Sequence, residues 1–462
     1  MTPAAGADTT VGVIVDSAPD VAGARAVAVP GATAAATLAG SGVRLPPCPR
    51  VPAALLAGVL PLALLGFGFA LEKALDLGLE VFLAAQWGTS PRRDMYLVAS
   101  TVLVATAMME LTFVPLIVDA RRRGDARRGD DLVASLPLAA LLLVGVVSVL
   151  AIAVWLVSPG AAAVPPSEMA GSLLGFVAAA VGLGALSIAA GYQVAERRFA
   201  LVSLRLPFVR AATLGAAALL PLGVGAPALG AGLSSTALAF FVWTRSEAVN
   251  WFRRPRLLGL WPALGLFAMN AYPVVPRLLI ERPVLGAAGD GTLATLDFAE
   301  KTTVIIGLAG FAIIGVVTAA LSGERSTYRS RALLVVAVLA LPALVTGLLA
   351  EPIVRALFER GLFSAADTRA VAELARLLAP SIPFVAALPL LVPGVQAAGA
   401  SGKGLALIAS MLAVHLAVAV WTHYTGDVRA LALSFDFAYL LLFGGFFALA
   451  AAPRRDPLGR GA

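Results

Sequence analysis

From Val51 to Gln86 the chain reads VPAALLAGVLPLALLGFGFALEKALDLGLEVFLAAQ, apolar almost throughout. Roughly 20 apolar residues suffice for a helix to cross a bilayer, so this stretch predicts a helix that spans the membrane and projects beyond it. Its second half carries Glu72, Lys73, Asp76 and Glu80. With about 100° of rotation per residue, the four fall within about 100° of arc, on one helix face. A charge facing lipid costs at least about 2.5–3.5 kcal/mol at the bilayer centre. Four on one face therefore point at protein or at a water-filled cavity. The helix reads as one wall of a polar cavity inside a helical membrane protein.

The rest of the chain agrees with that class. It is 60% hydrophobic and 13% charged over 462 residues, far more apolar than a soluble domain needs. The alternation that marks a membrane β-barrel is absent. One cysteine, Cys48, excludes a disulfide framework or a cysteine-based metal site, and two histidines, His415 and His423, leave little for metal chemistry. No GxxxxGK[ST], GxSxG or HExxH motif is present, so the chain is expected not to be an enzyme and to need no cofactor. Residues 1–50 lack the features of a signal peptide and read as a disordered cytoplasmic tail. The abundance of Ala, Gly and Arg suggests a GC-rich bacterial genome.

Twelve spans are expected, at 52–86, 95–119, 132–157, 169–194, 199–221, 225–244, 257–280, 292–321, 332–356, 367–396, 404–423 and 429–451. The loops at 121–131, 195–198, 245–256, 322–331 and 400–403 together hold fifteen Lys and Arg residues. The opposite side has Arg92, Arg93, Arg282, Arg360 and Arg429. The richer side is cytoplasmic by the positive-inside rule; an even span count then places both termini there, and Arg454 and Arg455 agree. The net charge of +7 thus reports topology rather than a nucleic-acid partner. The linker 246–256 divides the chain into an N-lobe (51–245, spans 1–6) and a C-lobe (257–452, spans 7–12), with a short tail at 453–462. Two six-helix lobes around a central cavity are the usual plan for alternating access.

Polar residues inside the other spans mark candidate cavity walls. Asn270 and Arg277 lie in line on span seven, with Pro273 and Pro276 between them to kink it; Arg277 suits a moving gate as well as it suits snorkelling to the surface. Asp297, Glu300 and Lys301 share a face of span eight and repeat the pattern of acids with one lysine. They predict a second cavity wall, against the plainer reading of an ion pair joining helices. Arg205 and Arg210 sit near the start of span five. Glu373 and Arg376 are one turn apart and able to pair. His415 and Asp436 would relay protons if they met, although a structural pair is the commoner outcome. Glu110 in span two lies at a cavity or a helix contact.

The segment Glu351-Pro352-Ile353-Val354, Leu357-Phe358-Glu359-Arg360-Gly361, Phe363, Asp367-Thr368 and Ala398-Gly399 resembles the MurJ/MviN lipid-linked oligosaccharide flippases of the MOP exporter superfamily. Gly88 to Asp94 with Tyr96, Phe113-Val114-Pro115, and Phe298-Ala299-Glu300-Lys301 follow in that family's order. The resemblance implies an all-α MOP-type fold that moves an undecaprenyl-pyrophosphate-linked glycan, such as the peptidoglycan precursor lipid II, to the outer leaflet. It carries cavity bases over to Lys73 and Lys301 and an acidic position to Glu80. Energy would come from an ion gradient or the membrane potential. The partners implied are the bilayer and the glycan lipid, with the chain a monomer that meets cell-envelope synthesis proteins.

Set beside it, the charge tally is even. The bases Lys73, Arg205, Arg210, Arg277, Lys301 and Arg376 face the acids Glu72, Asp76, Glu80, Glu110, Asp297, Glu300 and Glu373. A pyrophosphate site favours excess positive charge. Two alternatives therefore stay open: a MOP-fold exporter of a cationic small molecule, and a non-transporting membrane scaffold with a degenerate site.

Overall fold

The computed structural model describes residues 53–103, 117, 126–195, 199–220, 222–243, 280–288, 290–303 and 327–450. Residues 1–62 and Ala63–Ala462 form separate units; of the first, the described part is the helical run from Ala53. All else below belongs to the second. The expected tail 1–50, the linker 246–256, the tail after 450 and the residues Glu110, Asn270 and Arg277 lie outside the described residues.

Every regular element among the described residues is helical. The long helices are α1 (Ala53–Trp87), α2 (91–103), α3 (Ala126–Val157), α4 (Pro166–Ala195), α5 (Phe199–Leu219) and α6 (Gly225–Trp243). After 280 come a short α7 (Arg282–Gly286), α8 (292–303), α9 (Thr327–Phe358), α10 (Ala365–Leu378), α11 (Ile382–Ala397), α12 (Ser401–Thr425) and α13 (Val428–Leu449). Eight spans among the described residues, counting α10 with α11 as one, are long and apolar enough to cross a membrane. The protein is an all-α, multi-span membrane protein.

Burial sorts these helices. Only 22% of the α3 span is buried, with Leu141, Val146, Val149 and Leu156 exposed as a lipid-facing surface requires, whereas 61% of the α6 span is buried. Small residues allow that depth. Gly175 of α4 and Gly232 of α6 bring their backbones so close that a Cβ on either would strike the other helix.

Three spans depart from expectation, each for a local reason. The second begins at Pro91 rather than 95, because proline suits the first helical position, where its missing N–H costs nothing. The backbone N–H groups of Arg93 and Asp94 then bond to Ser90 O at 2.9 and 3.1 Å. Span 367–396 is broken into α10 and α11 by a 3-10 turn, Ala379–Ser381, around Pro380 and Pro383, which cannot donate to the helical ladder. Its entry is a capping box in which Ser364 and Asp367 satisfy each other's backbone N–H. In α9 the backbone leaves helical geometry at Leu349, three residues before Pro352.

Two stretches far apart in the sequence meet at one end of the molecule. Leu362 N bonds to Ala85 O at 2.9 Å, and Thr89 Oγ1 donates to Asp367. Gly88 and Gly361 both adopt left-handed conformations, φ +55° and +61°, and each presses on backbone of the other stretch where a Cβ would not fit. Behind them Phe298, Phe358 and Phe363 form a buried trio with centroids 5.0–5.9 Å apart.

Candidate functional site

The centre of the site is Arg93, wholly buried in the first turn of α2. Its Nη2 bonds to Glu80 of α1, and to Asp297 of α8 at 3.2 Å. Its guanidinium lies over the rings of Tyr96 at 4.9 Å and Phe298 at 5.1 Å. Nε and Nη1 have no hydrogen-bond acceptor among the described residues, so the aromatic faces stand in for oxygen.

Lys301 bridges the same two carboxylates. Its Nζ meets Glu80, and Asp297 Oδ2 at 2.9 Å; the second contact is the favourable acid-before-base i,i+4 spacing. Arg282 of α7 completes the cluster. It donates to Leu97 O at 3.0 Å and Ser100 Oγ at 3.1 Å in α2, and lies 3.6 Å from Asp297 Oδ1. Three bases thus hold two acids, and the ties run from helices before residue 244 to helices after 280.

The position of α8 is itself set by α2. Asp94, next to Arg93, accepts hydrogen bonds from Gly291 N at 2.8 Å and Ala294 N at 2.7 Å. A carboxylate there satisfies two of the orphan donors of the α8 N-terminus and complements its dipole. Asp297, Glu300 and Lys301 follow on that helix.

A second part of the site runs along α1. Glu72, Asp76 and Glu80 repeat every four residues. Asp76 lies 3.4 Å from Arg210 Nε of α5, and Glu72 3.1 Å from its neighbour Lys73. Lys73 also stands over Phe69 at 5.5 Å. Asp76 feels the charges of Arg210, Lys73 and Lys301, which joins the two parts into one polar strip.

The sequence-derived site is therefore brought together in part. Glu72, Lys73, Asp76, Glu80, Arg210 and Lys301 share the strip, and Glu300 is buried on α8. Lys73 and Lys301 stand at different levels of the strip. Lys73 is two helical turns, about 10 Å along the axis, from the acid that Lys301 holds, and both lysines are already paired. Arg93 and Arg282, read as outer-loop bases, are instead buried members of the cluster; the early start at Pro91 puts Arg93 inside a helix.

Three other expectations change partner. His415 meets Glu281 and Ser434, not Asp436, and Asp436 instead lies beside Ser381. Glu373 pairs with Arg429 at 2.8 Å, while Arg376 turns to Glu351 at 3.6 Å. Arg205 is buried and donates to Leu186 O at 3.0 Å, away from the strip. Among the described residues no group of His, Cys, Asp and Glu is placed to hold a metal ion.

Solved structures share the fold. A lipid II flippase MurJ in an inward closed conformation superposes with a TM-score of 0.64 at 16% identity, over 85% of this chain and 88% of its own. The likeness is one of fold, and it extends to transporters of the MOP superfamily. An inward-facing multidrug resistance MATE family transporter of that superfamily matches at 0.60 and 13% identity, over 82% and 93% of the two chains. A MOP-superfamily transporter from Pyrococcus furiosus, noted for the reverse polarity of its binding pocket, matches at 0.52 and 13%, over 85% and 94%. No protein-family model matches the sequence, and no curated protein does. Identities this low carry the fold and leave the substrate to be argued from the site.

Proposed function

We propose that the chain is an alternating-access exporter that carries a singly charged organic cation across a bacterial cytoplasmic membrane. Ionisable groups within a membrane are costly and mark substrate or ion pathways. A static bundle gains little from buried ion pairs over apolar packing. A transporter, by contrast, needs charges that change partners, and the pairs that join α1 and α2 to α7 and α8 are of that kind.

The observation that carries the substrate class is the unequal exposure of the pairs. Arg210 and Asp76 are 32% and 28% exposed and stand at 3.4 Å, the loosest pair on α1 among the described residues. A cation taking Asp76 displaces an Arg210 that is already about a third exposed, at lower cost than displacing a buried base. A pyrophosphate needs at least two bases, and the second is Lys73 or Lys301. Freeing Lys301 leaves Glu80 and Asp297 still held by Arg93, at about 1–2 kcal/mol; freeing Lys73 strands Glu72, 10% exposed. Removing a partner from a buried charge costs about 3–5 kcal/mol.

A second reading, export of a lipid-linked glycan, has its own support. Of the four site side chains with a fifth or more of their surface exposed, three are the bases Lys73, Arg210 and Lys301. Proteoliposome efflux of ethidium, together with native mass spectrometry of the protein from its host membrane, separates the two. The cation reading expects efflux that falls at least tenfold in Asp76→Asn. Absent efflux with a bound polyprenyl-pyrophosphate glycan, lost in Lys73→Ala and Lys301→Ala, replaces it with the second. Absent efflux and absent lipid from folded protein leaves the scaffold.

A further inference from the structure

The ion-pair cluster does not use every buried charge. Glu281 and His415 form a separate pair, 1% and 2% exposed, with His415 Nε2 3.0 Å from Glu281 Oε1 and Nδ1 3.2 Å from Ser434 Oγ. Phe435 closes the pocket edge-on to the imidazole at 5.0 Å. Among the described residues the surrounding groups are few. From α7, Arg282 turns away toward α2 and Asp297. From α13, Asp436 turns to Ser381. On α12 itself, His423 lies two turns away against Tyr424. From α3, the side chains at this turn are apolar, with Val147, Leu150 and Val154 beside Arg282 and Pro283.

The backbone that carries Glu281 is unusual. Ile280 and Glu281 form a π-helical turn immediately before α7, a conformation concentrated at functional sites. It aims two consecutive residues at different clusters. Glu281 reaches α12, and Arg282 reaches α2 and α8.

We propose that the Glu281–His415 pair is a proton-coupling site of the transporter. The inference rests on the alternating-access reading. The pair holds one transferable proton. With the proton in place, imidazolium and carboxylate share a charge-assisted hydrogen bond. When it leaves toward water, a neutral imidazole stands beside a buried carboxylate that has lost its counter-charge, and the turn 280–286 is no longer held on α12. Arg282 rides on that turn, so the change is delivered to Leu97 and Ser100 of α2 and to Asp297 of α8. Those contacts join the earlier helices to the later ones and must rearrange when that end of the molecule opens.

Spin labels at Ala162→Cys and Ala366→Cys, both exposed, in a Cys48→Ser background report that opening. Ala162 lies in the turn Pro159–Ala163, whose flanking Ser158 bonds to Gly286 O; Ala366 is beside Asp367, which meets Thr89. Distance distributions are read by pulsed electron resonance on the full chain in phosphatidylethanolamine–phosphatidylglycerol vesicles, from pH 5.5 to 8.5, with and without ethidium. The expected result is two populations whose ratio moves with pH, a response abolished by His415→Gln and by Glu281→Gln. Ser434→Ala keeps both ionisable groups and is expected to displace the midpoint. If the Gln variants do not fold, an unmoved midpoint in Ser434→Ala overturns the site. Two populations whose ratio ignores pH, or a wild-type response in His415→Gln, overturn the proton site and leave alternating access standing. A single fixed distance under every condition overturns both.

Discussion

Replacing Arg93 by methionine tests whether the cluster at its centre is held as described. The change keeps an unbranched apolar stem and removes the guanidinium, with its charge, its hydrogen-bond donors and its contacts to the two rings. Glu80 and Asp297 then keep Lys301, and Asp297 keeps Arg282 at 3.6 Å, so two acids are left with two bases. That residual pairing places the electrostatic loss at the lower end of the about 3–5 kcal/mol typical of a broken buried pair. Loss of the cation–π contacts with Tyr96 and Phe298 adds about 1–2 kcal/mol for a desolvated guanidinium. The total expected is about 4 kcal/mol. Lys301→Met removes an ammonium that is 21% exposed, so water screens part of its charge and Arg93 still holds both acids. Its cost is expected to be about 1–2 kcal/mol, nearer that of a partly solvated pair. Both are read from unfolding in mixed detergent by sodium dodecyl sulfate, followed through tryptophan fluorescence; Trp87 packs against Tyr96 with ring centroids 5.4 Å apart and reports this region directly. Equal costs for the two variants, or an Arg93→Met protein within about 0.5 kcal/mol of wild type, the usual range for an inconsequential surface change, would refute the reasoning.

Two backbone predictions use the same assay. Gly361→Ala meets both a left-handed φ of +61° and the Ala85 carbonyl, and is expected to cost about 2–3 kcal/mol, whereas Gly399→Ala, at φ +68° with open space around it, should cost about 1 kcal/mol; equal costs would show that the close approach to α1 is absent. Asp94→Ala removes the acceptor for Gly291 and Ala294 and is expected to cost about 2 kcal/mol, as a charged cap does. Hydrogen exchange in the peptide covering 288–297 should then rise, and unchanged protection there would count against the cap.

How far the sequence could be read follows the range of the interactions. Helical period alone puts Glu72, Asp76 and Glu80 on one face, and puts Asp297 and Lys301 on one face of a second helix, because positions four apart are neighbours on a helix. The apolar runs likewise place α4, α5, α6, α12 and α13 within a few residues, and the end of α3, which starts six residues earlier than expected, at Ala126. Arg93 and Arg282 were not legible by hydropathy, which treats any base flanking an apolar run as a loop residue. One local signal was available for Arg93: Ser90 followed by Pro91 marks a helix start and draws Arg93 inside. For Arg282, and for Glu281 opposite His415, no local signal exists. Their partners lie 185 and 134 positions away in the chain, and only the packed bundle brings them together.

A paired site of this kind also constrains how any charged cargo passes. Every base of the strip already has a carboxylate, so an incoming ion must replace a partner and cannot simply fill an empty place. The exchange costs least where the displaced partner is least buried, which on α1 among the described residues is the Asp76–Arg210 rung, with each side chain about a third exposed. Four residues further along, Glu80 is held by both Arg93 and Lys301 and is nearly inaccessible. A cation that settles on Asp76 therefore stands one helical turn, about 6 Å, from the cluster that ties α1 and α2 to α8. Its charge acts there through a medium of low dielectric, where a unit charge at that range is worth about 3 kcal/mol even at an effective dielectric constant of 20. That is comparable to one rung of the cluster itself. Occupancy of Asp76 can thus bias the cluster without touching it, and an Asp76→Asn protein would be expected to keep its fold while losing the response of that end of the molecule to ethidium.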